Sequence, residues 1–152
     1  MILDAEYPND ARISNECESL IKAGHEIFLF CLSYNKSFIR KEIINQINVR
    51  RYFCSKISYK LSAVANDLSL YSNIMFSKIH DFVLTNDVEI LHIHDIQIAN
   101  ASLKVARKLK IKTVLDLHEN RPEIMKYYKH VNSFFGKVLI STKRWKKAEQ
   151  KF

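Results

Sequence analysis

Glycine and proline are nearly missing, with two of each in 152 residues. The backbone therefore has few positions suited to unusual torsions. The first turn, residues 4–10, holds no glycine, which excludes both the dinucleotide fingerprint and the P-loop. A dinucleotide dehydrogenase is not expected. Cysteine is also scarce: Cys17, Cys31 and Cys54 are odd in number, far apart and set mostly among apolar neighbours. They read as reduced thiols of a cytosolic protein, not as a disulfide framework or a close zinc-binding pair. Cys17 and Cys31 have no evident base beside them, so thiol nucleophile chemistry is not expected. No apolar run approaches the ~20 residues needed to cross a bilayer. The segment Met1-Ile2-Leu3-Asp4 has neither the basic nor the apolar region of a signal peptide.

What is present fits one soluble domain with enough length for a real core. The apolar share of 47% and charged share of 26% are those of an ordinary globular protein and argue against disorder. The net charge of +8 is unevenly spread. Residues 1–36 are acidic on balance, whereas Lys104, Arg107, Lys108, Lys110 and Lys112 form one basic cluster and Lys137, Lys143, Arg144, Lys146, Lys147 and Lys151 form another. Such clusters suit an anionic partner or a solvated helix face. Neither is interleaved with aromatic residues as a stacking platform, so nucleic acid is not an expected partner.

The pattern alternates strands and helices. Ile2 and Leu3 end a first strand, and a helix starts near Asp10, a good N-cap, with Ile13, Cys17, Leu20 and Ile21 on one face and Gly24 at its C-terminal end. Residues 26–32 are apolar almost throughout, as in a strand buried on both faces of a parallel sheet. Residues 47–53 read as a third strand within a poorly patterned stretch. A long helical stretch with one break follows, marked by Leu61, Val64, Leu68, Tyr71, Met75 and Phe82. Residues 89–94 form a strand, 98–109 a helix with Ile98, Ser102, Val105 and Leu109 on one face, and 113–117 a strand; residues 133–152 form a last helix. Strands separated by such helices imply right-handed crossovers and an α/β, Rossmann-like, doubly wound parallel sheet.

Open parallel sheets bind ligands beyond the carboxyl ends of their strands. The first strand delivers Asp4, Glu6, Asn9, Asp10 and Arg12 to that edge, the fourth His94 and Asp95, and the fifth His118, Glu119, Asn120 and Arg121. His118 follows an apolar strand and precedes a turn. An imidazole there suits binding or activation of a hydroxyl, and a capping or loop histidine is the plainer alternative. His92 and His94 share one face of their strand. With Asp95 and Asp116 they look like part of a metal pair, but the other candidates form no recognisable ligand set. No metal is expected, and His92 is expected to be an interior histidine.

These residues resemble family 4 glycosyltransferases of the GT-B type. The family's Tyr-Pro-x-Asp-x-Arg turn is matched by Tyr7-Pro8-Asn9-Asp10-Ala11-Arg12. Glu16, Leu20 and the step Gly24-His25-Glu26 follow as in the family. Its Asp-Val-(Ile/Val)-His-x-His-Asp segment is matched, two residues longer, over 87–95, and its Asp-Leu-His-Glu-x-x-Pro-Glu segment over 116–123. Arg144-Trp145 in a basic final helix is also similar. The matches span nearly the whole chain in the family's order.

The resemblance implies that residues 1–152 are the N-terminal, acceptor-side domain of a retaining glycosyltransferase, truncated before the domain that holds the nucleotide sugar. It implies His118 near the reacting sugar, with Asp10, Arg12, His94, Asp95, Glu119 and Asn120 lining the cleft. No cofactor or metal is implied; the nucleotide sugar is a co-substrate bound mainly by the second domain. The implied partners are a glycan or lipid-linked acceptor and a C-terminal GT-B domain or partner subunit. The location is cytoplasmic, with an anionic membrane surface at its inner face as a further contact. Lysines beside Phe134, Phe135 and Trp145 suit such a surface, although the aromatic face equally suits packing on the sheet. The alternative reading is a non-catalytic sugar- or acceptor-binding module of the same ancestry. The family's glycine-rich first loop is absent.

Overall fold

The computed structural model describes residues 1–60 and 69–117. Its elements are α1 (Ala11–Lys22), β1 (Phe28–Ser33), β2 (Lys41–Ile44), β3 (Ile47–Phe53), α2 (Lys56–Lys60), α3 (Ser69–Thr85), β4 (Ile90–His94), α4 (Ile96–Leu109) and β5 (Lys112–Asp116). β1 pairs parallel to β3 from Phe28↔Asn48 to Ser33↔Phe53, and β4 pairs parallel to β5 from Ile90↔Lys112 to His94↔Asp116. The amino-terminal segment joins the two groups. Ile2 bridges to Phe30 on one side and Ile93 on the other, both parallel. Ile2 N–H donates to His92 O at 2.8 Å, and His94 N–H donates to Ile2 O at 3.0 Å. The spatial order is therefore β2–β3–β1–Ile2–β4–β5.

Alternate residues of these strands feed two cores on opposite faces. On one face, Ile13 and Cys17 of α1 pack with Met1, Leu3, Leu29, Cys31, Ile47 and Val49. On the other, Tyr71, Met75, Ile79 and Phe82 of α3 and Ile98, Ala101 and Val105 of α4 pack with Ile2, Phe30, Leu32, Leu91 and Ile93. The spacing of Tyr71, Met75, Ile79 and Phe82 keeps them on one helix stripe. All four are fully buried.

The result is an α/β architecture compatible with a Rossmann-like fold, and it corrects the expected all-parallel sheet. β2 is antiparallel to β3, from Lys41↔Arg50 to Ile44↔Ile47. Only Asn45 and Gln46 connect the two strands, and both have positive φ, 48° and 65°. A two-residue link closes an antiparallel hairpin and cannot span a parallel crossover. An ion pair between Arg51 and Glu42 ties the arm down. The break expected in the long helical stretch, with Leu61, Val64 and Leu68, lies outside the described residues, as does the helix expected over 133–152. Among the described residues, no helix is long and apolar enough to cross a membrane.

Candidate functional site

The strands around Ile2 run parallel, so their carboxyl ends and the first turns of α1 meet at one edge. Asp10 caps α1: its Oδ1 accepts from the N–H groups of Arg12 at 3.0 Å and Ile13 at 3.3 Å. Its Oδ2 accepts from Arg12 Nη2 at 3.1 Å. One turn later Glu16 leans over the end of β4, where its Oε2 lies 3.5 Å from His94 Nε2. On the far side of the same ring, Nδ1 lies 3.6 Å from Oδ2 of Asp116, the last residue of β5. His92 sits two residues earlier on the same face, its ring centroid 4.3 Å from that of His94.

Burial sets the charge of this group. His94 is fully buried, and desolvation, with the neighbouring His92 adding to it, pushes its pKa down to about 3. The ring is neutral near pH 7, so its approaches to Glu16 and Asp116 are polar contacts and not ion pairs. Desolvation also lowers the pKa of His92. Glu16 is shifted upward, first by desolvation and then by repulsion from Asp116.

No family model, curated protein or solved structure matches this chain.

Asp10 and Arg12 lie close enough to His94 to act on its charge. Asp95 follows His94 at the head of α4, where its φ of 76° is one that side chains seldom adopt. His118, Glu119 and Asn120 lie outside the described residues, as do the basic residues 133–152. Two other candidates of the first turn serve the fold. Asp4 is buried and accepts a hydrogen bond from the Tyr71 hydroxyl, and Glu6 Oε1 accepts from Tyr34 N–H at 3.0 Å.

His92 corrects the expectation of an interior histidine. It is only half-buried, because the adjoining strand face is open: Val114 beside it is 50% exposed. Two hollows, of about 560 and 580 Å³, adjoin through Leu20, His92 and Val114. The first reaches toward the amino ends of β1 and β4, lined by His25, Phe28, Val88 and Ile90, and so lies away from the polar edge. The second is lined by Asn15, Glu16 and Ser19 and opens beside His92.

Glu16 entered the sequence reading only as a residue of the family pattern, and its contact with His94 was not foreseen. The signal was present: a helix capped at Asp10 puts Arg12 and Glu16, four apart, on one side of α1. The buried thiols bear out the reading of Cys17, Cys31 and Cys54 as reduced. Desolvation pushes their pKa values up to about 11, 12 and 11.

Proposed function

We propose that this chain is the acceptor-side half of a retaining GT-B glycosyltransferase, working with a second domain or subunit that binds the nucleotide sugar. The observation that carries the reading is the meeting of Asp10, Arg12 and His94 at the carboxyl edge beside Ile2. There the spatial order reverses between β1 and β4, with α1 on one face and α3 and α4 on the other. A doubly wound sheet has its binding crevice at such a reversal, and the motif resemblance runs through the same residues.

In this reading Arg12, steered by Asp10, attracts an anionic group of a glycan or lipid-linked acceptor. His94, Asp95, Glu119 and Asn120 line the cleft. His118 holds the acceptor hydroxyl near the donor sugar. The bond from the anomeric carbon to the nucleotide breaks, the bond to the acceptor oxygen forms with retention, and the hydroxyl proton is released. With no glycine-rich loop on the first turn of this half, the donor phosphates are held mainly by the second domain or subunit. The basic residues 133–152 would hold the enzyme at an anionic membrane on its cytoplasmic side.

Calorimetric titration of the chain with lipid-linked acceptors and, separately, with sugar nucleotides tests this. Acceptor binding weakened at least about tenfold by Arg12→Ala, without sugar-nucleotide binding, is the expected result; one lost charge-assisted contact corresponds to that factor. Failure to bind any glycan or lipid-linked acceptor would remove the proposal. With a donor-binding half supplied, His118→Ala should sharply reduce transfer while circular dichroism stays unchanged. Near-normal turnover would remove the role given to His118.

A further inference from the structure

Glu16, His92, His94 and Asp116 come from α1, β4 and β5, and each offers one ligand atom, all within 4.8 Å of one another. Two imidazoles and two carboxylates form the donor set of zinc-class dications, whereas calcium and magnesium favour oxygen alone. At metal–ligand distances of ~2.0–2.2 Å, the ligand atoms of a tetrahedral zinc stand roughly 3.4 Å apart. The 3.5 and 3.6 Å approaches of Glu16 and Asp116 to His94 are near that spacing.

Charge agrees: two carboxylates and two neutral rings sum to the charge that a dication balances. Arg12, a neighbouring cation, is tied to Asp10 at 3.1 Å. A route in exists through the hollow lined by Asn15, Glu16, Ser19 and His92.

We propose that Glu16, His92, His94 and Asp116 form a binding site for a zinc-class divalent cation that clamps α1 to the ends of β4 and β5. The site shares His94 with the cleft of the glycosyltransferase reading, which itself calls for no metal, and Zn²⁺ binding is tested separately from acceptor binding.

The test is calorimetric titration of the chelator-treated full chain with Zn²⁺ alone, paired with its thermal midpoint. One Zn²⁺ per chain at micromolar or tighter affinity is expected, with a midpoint that rises on binding. Glu16→Gln and the half-buried His92→Ala should each weaken binding about 10–100-fold. His80→Ala, on α3 across the sheet, should leave it unchanged. Co²⁺ in place of Zn²⁺ should give visible absorption bands that both site variants lose. No binding and no midpoint shift at millimolar Zn²⁺ would overturn the proposal. So would binding that neither Glu16→Gln nor His92→Ala weakens, since surface histidines would then be the ligands. The wild-type titration stands even if a variant fails to fold.

Discussion

At the scale of single residues, the polar edge is governed by how burial treats each charge. His94 has a folded pKa near 3 against about 6.5 when exposed. Between those values the unfolded chain binds the extra proton and the folded chain does not. Stability therefore falls as pH drops through that window, by at most about 1.4 kcal/mol per pH unit from this group. Glu16 acts in the opposite sense just above its ordinary value, because its raised pKa lets the folded state keep a proton longer. His94→Gln removes the histidine's titration alone. In chelator-containing buffer, urea midpoints between pH 7 and 4 should fall more steeply for the wild type than for this variant. Equal slopes would rule out a buried neutral imidazole. Asp10 has a simpler role: Asp10→Ala removes the cap of α1 and should cost about 1 kcal/mol in urea unfolding at neutral pH.

Secondary-structure elements show which sequence signals carry through. The capped start of α1 at Asp10, the apolar run of β1 and the bounds of β3 were legible, because each rests on a local pattern. β2 was not. Its four residues, Lys41-Glu42-Ile43-Ile44, alternate only weakly, and Asn45-Gln46 lacks the glycine that marks a two-residue hairpin. Both turn residues nonetheless take positive φ, a conformation in which a Cβ costs energy. Gln46 is exposed, so Gln46→Gly leaves packing untouched and relieves that cost. It should stabilise the protein by about 0.5–1 kcal/mol, less whatever glycine adds to the freedom of the unfolded chain. A loss of stability would argue against the tight turn. The candidate site was legible only where residues follow one strand or one turn. Asp10, Arg12 and His94 could be placed from their own elements. The approach of Glu16 to His94 depends on how α1 packs over the sheet, which no local pattern encodes.

At the scale of the whole molecule, two strand groups with opposite helix layers depend on a short amino-terminal segment. Ile2 lies between β1 and β4, bonds to the backbone of β4 on one side, and puts a fully buried side chain into the core shared with α3 and α4. The sequence places a strand there but does not show that it is central, since a segment this short has little hydrophobic pattern of its own. Its position follows from the crossovers: β1 and β4 must each flank a strand that both pair with in parallel. A truncated side chain at this seam loses contacts to both groups at once, and neighbours fixed in two ladders relax poorly into the gap. Ile2→Ala should therefore cost about 2–5 kcal/mol. Ile43→Ala, at a position 71% exposed on the edge arm, should stay within about 0.5 kcal/mol. Urea unfolding followed by amide hydrogen exchange in β1–β3 and, separately, in β4–β5 measures the two variants. If the seam unites the fold, Ile2→Ala shifts both signals together to lower urea. If the two signals separate, β1–β3 and β4–β5 unfold as distinct units and Ile2 does not couple them.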